Sequence, residues 1–179
     1  MNLTEALTDL LSTPGPHLIA IDGAAGSGKS TFAKELHLFF GTSREVNLLG
    51  LDDIYDGWTN ALGKKLTSDL GAIADAHVLG ESITISIYDW AKSQYLDERE
   101  IKPKQILIIE GVGSAQEVMR EHKAITIWMD IDPLVGMQRV LNRDGHHIAQ
   151  EMKAWQELQG QHFAQSGARD NADFIITTA

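Results

Sequence analysis

Short apolar runs and longer apolar stripes alternate along the chain. Leu18-Ile-Ala-Ile-Asp22, Val46-Asn-Leu-Leu-Gly-Leu51, Gln105-Ile-Leu-Ile-Ile-Glu110, Ala124-Ile-Thr-Ile-Trp-Met129 and Phe174-Ile-Ile-Thr177 are branched, nearly unbroken and bounded by polar residues, as buried strands are. Ile83-Thr-Ile-Ser-Ile-Tyr88 alternates instead, within Glu81 to Asp89. The segments between them carry helical spacing. Thr31 to Phe40 turns Phe32, Leu36 and Phe39 or Phe40 inward, and Thr59 to Leu79 aligns Leu62, Leu66, Leu70, Ile73 and Ala74, with Gly71 weakening its middle. Ser114 to Arg120 predicts a short helix, Pro133 to about Asn142 one with proline in its first turn, and Ile148 to about Ala164 a longer one. Thr4 to Leu11 predicts an edge helix ended by Ser12-Thr-Pro-Gly-Pro16. Strand–helix alternation without linker or repeat predicts a single α/β domain over 1–179. It should be a three-layer fold with a mostly parallel five-stranded sheet and helices on both faces.

Composition narrows the partners. The 179 residues are 43% hydrophobic, which argues against disorder. Fifteen basic and 25 acidic side chains leave a net charge of −10, which disfavours nucleic acid or an anionic membrane as the main partner. There is no cysteine, so disulfides and thiolate metal sites are excluded. Met1-Asn-Leu-Thr-Glu-Ala6 has neither a basic segment nor a signal-length apolar run, and no stretch approaches 18 apolar residues. The expectation is a soluble, cytoplasmic protein with a small-molecule partner, as monomer or homodimer.

The chemistry enters at Gly23-Ala-Ala-Gly-Ser-Gly-Lys-Ser30, which fits G-x-x-x-x-G-K-[ST] at every fixed position and lies between an apolar run and a helical stripe. In that context it predicts a phosphate loop. Backbone N–H groups of Gly26 to Lys29 would wrap a nucleotide phosphate, and the following helix would add its positive end. Nucleotide contacts are expected from Gly23, Ala24, Ala25, Gly26, Ser27, Gly28, Lys29, Ser30 and Thr31. Lys29 would reach the terminal phosphates of ATP and the Ser30 hydroxyl would face Mg²⁺.

Asp22, Asp52 and Glu110 end predicted strands, on the rim where open parallel sheets bind ligands. Glu110 sits where a magnesium-associated carboxylate belongs, and Asp52 beside Asp53 makes an acidic pair suited to Mg-ATP. Of six arginines, Arg139 and Arg143 share a helix face and could clamp a triphosphate. No arginine lies between Arg44 and Arg99, which leans toward a neutral acceptor hydroxyl. Tyr55, Trp58, Tyr88, Trp90 and Tyr95 could stack on a planar ring, while Trp128 and Trp155 are expected in the core. The seven histidines show no metal spacing.

The order of these motifs resembles the uridine kinase-like branch of P-loop kinases, over roughly Leu18 to Ile176. Leu51-Asp-Asp-Ile-Tyr55, Ile87-Tyr-Asp-Trp90, Ile109-Glu-Gly111 and Arg139-Val-Leu-Asn-Arg-Asp144 stand where that branch has its acceptor, Tyr-Asp-Phe, Glu-Gly and lid motifs. Small bacterial uridine kinase-like ATP-binding proteins carry similar Asp52–Trp58, Tyr88–Trp90, Glu110–Ser114, and Trp155, Glu157, His162-Phe163 elements. The resemblance implies ATP- and Mg²⁺-dependent phosphoryl transfer to a small hydroxyl compound. It implies Asp52 as general base, Lys29, Arg139 and Arg143 on the transferred group, Asp53, Tyr55, Tyr88 and Trp90 on the acceptor, and Ser30, Asp52 and Glu110 near the metal. Asp53-Ile54 replaces the branch's usual small polar residue and Phe, and the acceptor and lid segments are short. A nucleoside, a nucleoside monophosphate, or no acceptor at all, as in an ATP-binding switch, remain as alternatives.

Overall fold

The computed structural model describes residues 2–178. In chain order it contains α1 (Leu3–Leu10), β1 (His17–Gly23), α2 (Lys29–Gly41), β2 (Val46–Gly50), α3 (Gly57–Asn60), α4 (Lys64–Leu79), β3 (Ile83–Asp89), β4 (Gln94–Ile101), β5 (Ile106–Glu110), α5 (Glu117–Glu121), β6 (Ile125–Asp130), α6 (Pro133–Asp144), α7 (Ala149–Ser166) and β7 (Phe174–Thr177). Five strands form one parallel sheet in the order β2-β5-β1-β6-β7. The apolar runs are unbroken because both faces are covered. Ile19, Ile21, Ile106, Ile108 and Ile127 point to the layer of α1 and α2, where Leu7, Leu36 and Phe40 meet them. Their neighbours Leu18, Ala20, Leu107, Ile109 and Trp128 point to the other layer, with Leu70 and Ile73 of α4, Met119 of α5 and Trp155 of α7.

Parallel register brings the strand ends to one rim. Ile21 pairs with Glu110, and Gly50 pairs with Glu110 from the other side. The chain leaves β1 through α2 toward β2 and leaves β5 through α5 toward β6, so neighbouring strands diverge. Ligands enter such sheets at that point.

The structure departs from the sequence reading in four places. The helix expected over Thr59–Leu79 is two helices, because the chain turns at Ala61 and Leu62 and Gly63 is extended (φ −85°, ψ −173°) ahead of α4. Gly71 sits inside α4 where a Cβ would come 3.3 Å from Val118, so it serves the close approach of α5. The helix expected from Ser114 begins only at Glu117, because the N–H groups of Gly113 and Ala115 are drawn to Asp22. The alternating segment β3 joins no parallel sheet. It pairs antiparallel with β4, a strand that Gln94-Tyr-Leu-Asp-Glu-Arg-Glu-Ile101 hides behind exposed charges. Of the two phenylalanines left open, Phe40 is buried and Phe39 is exposed.

Candidate active site

The phosphate loop joins β1 to α2, and helix backbones hold it from outside. Gly26 (φ +80°) needs glycine twice: its backbone is left-handed, and a Cβ there would run into the Gly136 carbonyl at the start of α6. Gly136 in turn faces Ala25 O across the same contact. The Ala25 N–H donates to Gln159 Oε1 of α7 (3.0 Å), and the Thr178 hydroxyl donates to Ser27 O (3.3 Å). The loop is therefore fixed by three elements distant in sequence. At its end, Gly28 caps α2 without any side-chain hydrogen bond, leaving the positive helix end free for an anion.

Below the loop lies Asp22, fully buried. Its carboxylate accepts from the N–H groups of Gly23 (2.7 Å), Gly113 (2.9 Å) and Ala115 (2.9 Å), tying the loops after β1 and β5 together. Burial pushes its pKa up against those donors and Lys29. Lys29 is also buried, and its Nζ donates to Gly23 O and Ala24 O (both 2.8 Å). Burial pulls the Lys29 pKa down, while Asp22, Glu110 and Asp52 hold it up.

Two further carboxyls complete the rim. Ser30 lies beside the Glu110 carboxylate, whose pKa is raised by burial and lowered by Ser30 and Lys29. Asp52 is the middle residue of a 3₁₀ turn, Leu51–Asp53, directly after β2. Its side chain reaches solvent through the cleft, yet the crowding protein raises its pKa, with Lys29 and Arg143 pulling the other way. Lys29, Ser30, Asp52, Glu110 and Arg143 all line one cavity of about 380 Å³. Among the described residues no three His, Cys, Asp or Glu side chains form a metal cage. Mg²⁺ carried on phosphates needs only one or two protein oxygens, and Ser30 with Glu110 fits that demand.

The far wall is aromatic. Trp58, Trp90, Trp155 and Tyr55 line the same cavity. Trp58 meets Trp90 edge to face at 5.4 Å between centroids and Trp155 at 5.9 Å, and Tyr55 meets Trp155 at 5.4 Å. The β3–β4 hairpin holds the Asp52 turn by three contacts: Trp90 Nε1 donates to Asp52 O (2.8 Å), the Tyr95 hydroxyl donates to Ile54 O (2.9 Å), and Arg99 pairs with Asp53 (2.9 Å).

The residues expected at the site divide accordingly. Gly26, Gly28, Lys29, Ser30, Thr31, Asp52, Tyr55, Trp90, Glu110 and Arg143 surround the cavity. Gly23, Ala24 and Ser27 lie buried at the base of the loop, and Ala25 lines the cavity beside them. Tyr55 differs from expectation in that its hydroxyl is spent, donating to Val112 O (2.7 Å), and only its ring reaches the cavity. Tyr88 packs behind, between Trp90 and Tyr95 at 5.2 Å from each, and does not line it. Asp53 faces Arg99 instead of the cavity. Arg139 stands beside the loop, 3.5 Å from Gly26 O, and Arg143 is held by its neighbour Asp144 in a bidentate pair (2.7 and 2.6 Å). The core position expected for Trp155 is occupied, and the same ring also lines the cavity. Asp144, Ile148, Met152 and the bracing Gln159 were not singled out in the sequence. Helical stripes identify such residues as inward-facing, but not as facing a cleft.

No family model matches the chain. The uridine kinase of Clostridium perfringens (strain SM101 / Type A) is 30% identical over 146 residues, which span 72% of this chain and 68% of that one. Among solved structures, a possible uridine kinase from Bacillus stearothermophilus superposes with a TM-score of 0.69 at 16% identity, covering 98% of this chain and 100% of the other. A fructose transport system kinase candidate from Silicibacter sp. TM1040 gives 0.70 at 20% identity, covering 98% and 99%. At these identities the two structures speak for the fold.

Proposed function

We infer the chemistry from one premise: the chain belongs to the uridine kinase-like family of P-loop kinases. It is an ATP-dependent small-molecule kinase. The finer reading is Mg-ATP-dependent phosphorylation of a hydroxyl on a small ring-bearing acceptor, of which a nucleoside such as uridine is the type. One observation carries it. Asp52 lies on the same cavity as Lys29, the free end of α2 and an aromatic wall, so a base, a phosphate site and a ring site share one space.

In this reading the N–H groups at the start of α2 and the Lys29 ammonium hold the terminal phosphates and take up charge as the phosphoryl group transfers. Ser30 and Glu110 would hold Mg²⁺, which neutralises phosphate charge when bound. Arg143 leaves Asp144 for the phosphates, and Arg139 supports the loop at Gly26. Asp52 accepts the proton of the acceptor hydroxyl as its oxygen bonds to the γ-phosphorus. The bond from that phosphorus to the β–γ bridging oxygen breaks, giving ADP and a phosphate ester.

Asp52→Asn tests the assignment. Acceptor-dependent ADP release should fall by about 10² to 10⁴, while ATP affinity changes little. A carboxylate base works only when ionised. Burial raises the Asp52 pKa, so kcat/KM of the parent should fall on acidification with a limb above the ordinary aspartate range. That limb should be missing from the residual activity of the variant. Equal loss of ATP binding and turnover would make Asp52 a structural residue. A stable ATP complex that no hydroxyl compound stimulates would favour a nucleotide switch.

A further inference from the structure

The acceptor half of the cavity has an unusual charge inventory. Among the described residues, five basic side chains flanking it already face an acid or the phosphate loop. Arg99 pairs with Asp53, Lys65 with Asp69 (2.5 Å), Arg143 with Asp144, and Lys92 lies 3.9 Å from Asp89. Lys29 is turned to the phosphate loop. When Arg143 turns to the phosphates, Asp144 is left beside Asp52 as a second acid on the cavity wall. A phosphate or carboxylate on the acceptor would therefore enter beside carboxylates whose neighbouring cations are already engaged.

The aromatic geometry adds a second, independent constraint. A flat neutral ring is held best between parallel plates. Here Trp58, Trp90 and Trp155 meet at steep angles, 66° and 85°, with centroids 5.4 and 5.9 Å apart. No slot opens between them, and they form a corner. Trp58 and Trp90 are each 38% exposed, so their remaining surface looks outward from that corner. A corner of indole faces attracts a positive charge from more than one side, and tryptophan is the strongest of the aromatic partners for a cation.

We propose that the acceptor site is cation-selecting: it takes a ring-bearing alcohol whose ring carries a positive charge, held by Trp58, Trp90 and the cavity acids Asp52 and Asp144, in preference to its neutral analogue and to the exclusion of an anionic one. The inference rests on the kinase reading and names the acceptor class within it. The net charge of −10 draws the same class of molecule toward the protein.

Three ribosides that share the hydroxyl and the ring size test it. 3-Methylcytidine is positively charged at neutral pH, 3-methyluridine is neutral, and orotidine carries a carboxylate. Binding is measured by calorimetry on the full chain in the presence of Mg²⁺ and a non-hydrolysable ATP analogue, and turnover by ADP release with ATP. 3-Methylcytidine should bind about tenfold more tightly than 3-methyluridine, the size of one well-formed cation–π contact, and orotidine should not bind. Trp58→Leu and Trp90→Leu, checked for unchanged ATP-analogue binding, should each erase most of the preference. Equal or weaker binding of the cation overturns the inference, as does binding of orotidine or of none of the three. The ATP-analogue titration and phosphorylation of any neutral alcohol report separately on the kinase reading, which stands or falls without it.

Discussion

Gly136→Ala separates the bracing of the phosphate loop from the stability of the fold. Gly136 is the fourth residue of α6, and a Cβ there would sit 2.5 Å from Ala25 O. Ordinary contact begins at about 3.4 Å, so helix or loop must give by roughly 0.9 Å, and both partners are backbone. The helix gains about 1 kcal/mol of propensity from the alanine, against roughly 1–3 kcal/mol for overpacking. The net change lies between zero and about 2 kcal/mol, a fall in Tm of up to about 8 °C for a chain of this size. Activity should respond far more. A displacement approaching 1 Å at a site that works by positioning costs about 10- to 100-fold. Gly160→Ala is the matched control, since nothing lies within 4 Å of a Cβ there and α7 simply gains a better helix former. It should stabilise by about 0.5–1 kcal/mol and leave the kinetics alone. Steady-state kcat and ATP KM beside thermal unfolding read both effects. Parental kinetics in Gly136→Ala would refute the claim that α6 sets the loop.

Glu110→Gln keeps the size and the Ser30 contact but removes charge; it should raise the Mg²⁺ needed for half-maximal rate by about tenfold or more, and an unchanged magnesium titration would remove Glu110 from the metal. Tyr55→Phe leaves Val112 O without its buried donor and should cost about 1–2 kcal/mol in urea unfolding with acceptor KM unchanged; a raised KM at parental stability would return Tyr55 to the acceptor. Gln159→Leu deprives the Ala25 N–H of its partner and should weaken ATP-analogue binding about 5- to 20-fold, with little change in acceptor KM at saturating ATP; unaltered nucleotide affinity would show that the loop keeps its shape without α7.

The phosphate half of the site was legible because its information is local. Glycine positions, a lysine and a hydroxyl lie within eight residues, and the flanking runs announce strand and helix. The parallel sheet was legible for a related reason: strands buried on both faces show unbroken apolar runs. The same logic explains the failures. β4 is charged and exposed along most of its length, so no hydrophobic period marks it. The helix start at Glu117 instead of Ser114 depends on where Asp22 sends its oxygens, 91 and 93 residues back along the chain. The apparent lack of arginine near the acceptor was true along the sequence, but Arg99 returns through the hairpin to pair with Asp53.

The acceptor half is thus built from pairs, each member of which is unremarkable alone. Asp52 follows β2, as an acid at a strand end can anywhere, and Trp90 follows β3. Only the bond from Trp90 Nε1 to Asp52 O, with those from Tyr95 to Ile54 O and from Arg99 to Asp53, makes the hairpin a strap across the turn that carries Asp52. Two consequences follow for how such a chain changes substrate. The phosphate loop tolerates little, because its glycines answer to the backbone of α6 and its N–H groups to α7. The hairpin touches the parallel sheet through few of its side chains, and most of β4 faces solvent. Substitutions there can reshape the acceptor wall while the nucleotide site keeps its geometry. The tryptophans at its edge are therefore where specificity should be sought first.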